Sequence, residues 1–144
     1  MTVRHSMCLP AMVLATGLIL QGQQSKPTVK HEAAAITSPS SGKEMFMSYC
    51  APCHGKDAKG DGPAAAALKQ APANLTQLAK LNGGKYPTDK VTSVLRGQAH
   101  LMAHGDQEMP VWGPVFWRMS GGREEIVQMR IANLNRYIES LQEK

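Results

Sequence analysis

The densest chemistry in this chain lies in five consecutive residues, Cys50-Ala51-Pro52-Cys53-His54, which put two thiols and an imidazole within little more than one helical turn. On a helix, Cys50 and Cys53 stand three residues apart and His54 four from Cys50, so all three project from one side. The thiols are then placed to form thioethers to the two vinyl groups of one porphyrin, and the imidazole reaches the iron from the same side. C-x-x-C-H is the attachment pattern of a c-type haem. Two other chemistries fit part of the motif. A dithiol redox pair needs a βαβ setting, and no strand-like alternating run precedes Cys50. A zinc site could recruit His100 and His104 as an H-x3-H pair, but fingers of that ligand type keep their two pairs about a dozen residues apart. Here 46 residues separate Cys53 from His100, and His54 would be left without a role. Haem uses every residue of the motif.

The elements that must carry these residues are helical. Ser41-Gly42-Lys43-Glu44 has the form of a capping box and opens a helix through Phe46 and Tyr49 into the motif. A glycine at position 42 costs a helix about 1 kcal/mol relative to alanine, which points either to close approach by another helix or to a frayed first turn. Turn-rich sequence follows from Gly55 to Gly62, then a short helix candidate after Pro63. Pro72-Ala73-Asn74-Leu75 breaks it. Thr88 is a candidate cap for a helix holding Val91, Val94 and Leu95, with Gly97 as its stop. Residues 98–122 carry no convincing period and read as loop. The last helix is the clearest: Glu124 and Glu125 suit its positive end, and Ile126, Val127, Ile131, Leu134, Ile138 and Leu141 form an apolar stripe. The expected class is all-α, three to five short helices whose long loops need something else to organise them.

At 144 residues the chain allows one domain. Residues 1–22 read as a signal peptide, with Arg4 and His5 before a mostly apolar run at 7–20, too short for a membrane span. Cys8 precedes that run and would be lost with it, leaving Cys50 and Cys53 as the only thiols. Residues 23–40 are polar, contain Pro27 and Ser38-Pro39-Ser40, and read as a disordered lead or tether. The folded domain is then 41–144, and it holds all seven aromatics. The net charge of +5 is spread over scattered lysines without an aromatic-interleaved basic block, so nucleic-acid binding is not indicated.

With these elements in place the chain resembles the class I monohaem cytochrome c family. The matching residues are Gly42…Phe46…Cys50-x-x-Cys53-His54-Gly55, then Gly60-Asp61-Gly62-Pro63 and Pro72-Ala73-Asn74-Leu75-Thr76. They continue with Met109-Pro110-Val111-Trp112-Gly113 and Leu134…Tyr137-Ile138…Leu141. The resemblance covers essentially all of 41–144. It implies a cytochrome c-like fold whose first and last helices cross around one covalently bound haem c. By position it makes His54 the proximal and Met109 the distal axial ligand, with Met102 as the rival sulfur among nine methionines. His100 and His104 fall to surface or propionate-facing roles. The resemblance gives Pro72 the backbone carbonyl that accepts the Nδ1–H of the proximal imidazole, with Pro63 as a competitor. Trp112 is expected in the haem-side core and Tyr137 at the helix crossing.

The function so implied is single-electron transfer between redox partner proteins in a respiratory or periplasmic chain, with no bond-making chemistry. The expected location is the periplasm or the outer face of the cytoplasmic membrane. Membrane contact would come only through an uncleaved N-terminus or a membrane-bound partner. The protein would be a monomer or a subunit of a larger oxidoreductase. A haem peroxidase or gas-binding protein is the enzymatic alternative, and it would need an open sixth position on the iron.

Overall fold

Ser41 starts the first helix as its sequence suggests, its Oγ accepting from the Glu44 N–H at 3.2 Å. The return half of the capping box goes elsewhere: the Glu44 carboxylate accepts from the Ser38 N–H at 3.3 Å. The structure is a computed structural model that describes residues 35–98 and 109–143. Helix α1 (Gly42–Met45) runs into a π-helical turn (Phe46–Cys50) and then α2 (Ala51–His54). The wide turn has a local cause. Pro52 has no N–H and its ring clashes with the carbonyl four residues back in a regular helix. A π turn just before it shifts the register and relieves that conflict.

Two 3₁₀ turns (Ala65–Ala67 and Leu75–Gln77) and the one-turn α3 (Leu78–Leu81) follow, then α4 (Thr88–Arg96), α5 (Trp112–Met119) and α6 (Glu124–Ser140). The described residues are all-α, with no strand among them. Pro87, not Thr88, occupies the N-cap position of α4, and the helix ends at Gly97 as expected, with N–H bonds from Gly97 and Gln98 back to Val94 and Ser93.

Helix α5 lies where the sequence reads as loop. Gly113 and Pro114 hide its pattern, yet Trp112, Val115, Phe116 and Met119 follow helical spacing and face the core. Pro114 is its third residue, where the backbone N–H would have no partner within the helix, so the proline costs little there.

The core is made where α1 and α6 cross. Val127, Ile131, Leu134 and Ile138 of α6 are buried against Met45 and Phe46; each such side chain is worth about 1.5–3 kcal/mol. Gly42 sits at the crossing. A Cβ there would strike the Asn133 carbonyl and come within 2.8 Å of Tyr137 Cβ, so close approach, not fraying, explains the glycine. The Phe46 and Tyr137 rings meet beside it at 5.4 Å.

The α6 stripe also buries two polar residues, Arg130 and Asn135. Asn135 is fully engaged. Its Nδ2 donates to the Thr88 carbonyl and Thr92 Oγ1, and its Oδ1 accepts from the Tyr86 hydroxyl at 2.6 Å. Burial, then the nearby Glu139 charge, pushes the Tyr86 hydroxyl above its ordinary range.

Residues 35–40, expected to belong to the lead, are partly built into the domain. Thr37 is buried, with its Oγ1 2.6 Å from the Tyr49 hydroxyl and its carbonyl accepting from Arg130. The reading of 1–34 as signal and tether lies outside the described residues. Among the described residues no helix is long and apolar enough to cross a membrane.

Two outcomes are expected. Gly42→Ala gains helix propensity but collides with fixed backbone, so the haem-loaded protein will lose about 1–3 kcal/mol in denaturant titration. An unchanged midpoint would mean the crossing is loose. Because the folded state keeps Tyr86 protonated while an unfolded tyrosine ionises near pH 10, stability will fall as pH rises through about 10. Tyr86→Phe will flatten that limb of a pH–stability curve while lowering the curve at neutral pH, since Asn135 loses a donor.

Candidate haem site

Helix α2 is one turn long, and its free carbonyls are closed off by the loop that follows. The N–H groups of Ala64, Gly62 and Gly60 donate to the carbonyls of Pro52, Cys53 and His54 at 2.8, 3.0 and 2.7 Å. This folds the Gly60-Asp61-Gly62-Pro63 segment over the end of the attachment helix. Gly62 is needed for that approach: a Cβ would sit 2.6 Å from the Ala51 carbonyl oxygen.

Cys50 is buried, Cys53 is partly exposed, and neither is in a disulfide. Burial, reinforced by Cys53, pushes the Cys50 thiol up to about 12, and burial raises Cys53 as well. Reactive dithiol pairs depend on the opposite shift, a thiol made more acidic by its surroundings. Among the described residues no three His, Cys, Asp or Glu side chains gather as a metal site. His100 and His104, like Met102, lie outside the described residues.

The buried His54 imidazole donates from Nδ1 to the Ala73 carbonyl at 2.9 Å. This corrects the expectation for Pro72 by one residue. The Pro72 carbonyl instead faces Gly60, where a Cβ would strike it, so the chain turns before its next carbonyl points at the ring. With the proton held on Nδ1, Nε2 carries the lone pair that a metal would use. The segment that carries the accepting carbonyl is itself held in place. The Leu75 N–H bonds to the Ala58 carbonyl at 2.8 Å, and Asn74 Oδ1 accepts from the Thr76 N–H. Beyond α6, Gln142 bridges Leu75 and Ala79, and Glu143 accepts from the Thr76 hydroxyl at 2.9 Å. Residues at the far end of the chain thus brace the wall behind the imidazole, a role no spacing rule reveals.

Cys50, Cys53 and His54 open onto a cleft with about 590 Å³ of space, continuous with solvent. Met109 and Pro110 line the same cleft, with Leu68, Ala71 and Pro72 supplying apolar surface. Trp112 also lines it, its ring stacked on Tyr49 at 5.1 Å. Of the residues singled out from the sequence for the site, Cys50, Cys53, His54, Pro72, Met109 and Trp112 line this cleft, and Pro63 does not. Sequence reasoning missed Tyr49 as a lining residue and Ala73 as the acceptor.

The family model described as cytochrome c matches residues 39–142. The chain belongs to the cytochrome c family, and its cofactor is haem c, one per chain, covalently bound through iron-porphyrin thioethers. Neither the curated proteins nor the solved structures gave a match. The residues present fit the group: two unpaired thiols and an oriented imidazole border one apolar cleft.

Replacing Cys50 or Cys53 with alanine should leave a single thioether or none, seen as reduced covalent haem by mass spectrometry. His54→Ala should reduce haem loading at least as far. A His54 variant with full loading and an unaltered spectrum would contradict the assignment.

Proposed function

We propose that this cytochrome c is an exported single-electron carrier whose haem iron takes His54 and Met109 as axial ligands. The observation that carries the reading is the convergence of Met109 with Cys50, Cys53 and His54 on one cleft. When bound, the haem supplies a one-electron iron couple. The protein supplies the rest. The Ala73 carbonyl orients the His54 ring and raises its basicity. The Met109 thioether is a soft, neutral donor that favours ferrous iron, so the pair raises the reduction potential. Pro110 stiffens the backbone beside the sulfur. With His54 and Met109 both held to the iron, oxygen or peroxide would have no easy access, and each electron would require little rearrangement. Such a centre moves electrons and does no bond-making chemistry.

The apolar run at 7–20 supports export to the periplasm or the outer face of the cytoplasmic membrane. Donor and acceptor are redox proteins, met either by diffusion or within a larger oxidoreductase.

The ferric protein is expected to be low-spin, with the weak charge-transfer band of iron–thioether ligation, and its ferrous form to bind carbon monoxide poorly. Met109→Ala will remove the band, lower the potential and open the iron to carbon monoxide, whereas Met102→Ala will leave all three nearly intact. If Met102→Ala alone removes the band, the axial role moves to Met102. Rapid carbon monoxide binding by the unaltered protein would instead favour a haem enzyme or gas binder.

A further inference from the structure

Arg130 is 3% exposed, in the middle of α6, and carries a guanidinium into the core. Among the described residues no acidic side chain pairs with it, and the one ion pair there joins Arg96 to Glu124. Its Nη1 donates to Thr37 Oγ1 at 3.1 Å and its Nη2 to the Thr37 carbonyl at 2.9 Å. Its Nε has no hydrogen-bond partner. Cζ lies 5.9 Å from the centre of the Phe116 ring, a weak cation–π contact. Dipoles and a ring quadrupole offset the burial of this charge without neutralising it. A lone buried cation is costly, and tying down residues 35–40 could be done by a neutral amide.

The charge is linked to the haem cleft by two routes of packed side chains. Thr37 Oγ1 lies 2.6 Å from the hydroxyl of Tyr49, which lines the cleft. Phe116 packs at 5.7 Å on Trp112, which also lines it. Across such an interior the effective dielectric is far below that of water and salt screens little.

We propose that Arg130 is a fixed positive charge that sets the reduction potential of the bound haem, favouring the ferrous state. The proposal rests on the electron-carrier reading. No bond forms or breaks in the step: one electron arrives from a redox partner protein, ferric iron becomes ferrous, and the guanidinium keeps its charge throughout. The reduced centre carries one unit less positive charge, so a nearby cation stabilises it more than the oxidised one.

The test is the midpoint potential of the haem-loaded full chain in Arg130→Met, Arg130→Gln and Arg130→Lys, with denaturant stability measured beside it. Both neutral variants should shift the reduction equilibrium several-fold toward ferric, up to about tenfold, or 59 mV for one electron. Arg130→Lys, which keeps the charge and loses the fork, should stay within about twofold of the unaltered protein while losing stability like the others. A neutral variant with an unshifted midpoint, or a lysine variant shifted as far as the neutral ones, would overturn the proposal in favour of a structural strap. Haem loading confined to the lysine variant, or absent from all three, would make Arg130 an assembly residue and overturn it equally. The carrier reading fails separately, on the axial-ligand spectrum of the unaltered chain.

Discussion

Two helices meet at Gly42 with no room between them for a side chain, and the rest of the domain is arranged around that contact. A methyl group there would hold α1 away from the Asn133 carbonyl, and with it the π turn and α2, which continue the same run of chain. The attachment cysteines are therefore located by a contact more than two helical turns upstream. Burying Met45, Phe46, Leu134 and Ile138 stabilises the crossing. The glycine decides how near it can be. Between the two helices, the described loops are fastened by hydrogen bonds.

Those fastenings differ in how completely they satisfy the groups they bury. The loop amides at Gly60, Gly62 and Ala64 close the carbonyls of α2 one for one. Asn135 finds a partner for each side-chain polar atom. Ser120 Oγ is buried without a partner, and Arg130 is the one charged exception, a cation with two bonded nitrogens, one unbonded and no counter-ion among the described residues. A protein that satisfies its buried amides and leaves one buried charge open concentrates its electrostatic cost in a single place, and that place is in packing contact with the residues around the haem cleft.

Much of this was legible in the residues. Cys50, Cys53 and His54 announce themselves because their chemistry requires a fixed local spacing, and the α6 stripe because an amphipathic helix repeats every three or four positions. Helix α5 was hidden, since Gly113 and Pro114 carry loop propensity while their position in the first turn makes them harmless. The acceptor for His54 was placed one residue early, at Pro72 instead of Ala73. A carbonyl belongs to every residue, so only the path of the backbone tells which one points at the ring. The buried Arg130 and the bracing by Gln142 and Glu143 were equally out of reach, because each depends on a partner more than 60 positions away in sequence.

Gly42 and Asn133 are 91 positions apart. The helix that bears the cysteines is among the first parts of the domain to be synthesised, and the helix it packs against is the last. Chains are made from the N-terminus, and contacts so distant in sequence form late and slowly. For most of the time the polypeptide is growing, α1 has nothing to lie on and one turn of α2 cannot hold itself together. Cys50 and Cys53 consequently sit on a segment without its packing partner for as long as α6 is missing. The chain's own topology thus delays the docking of the attachment segment until the last helix of the domain has been made.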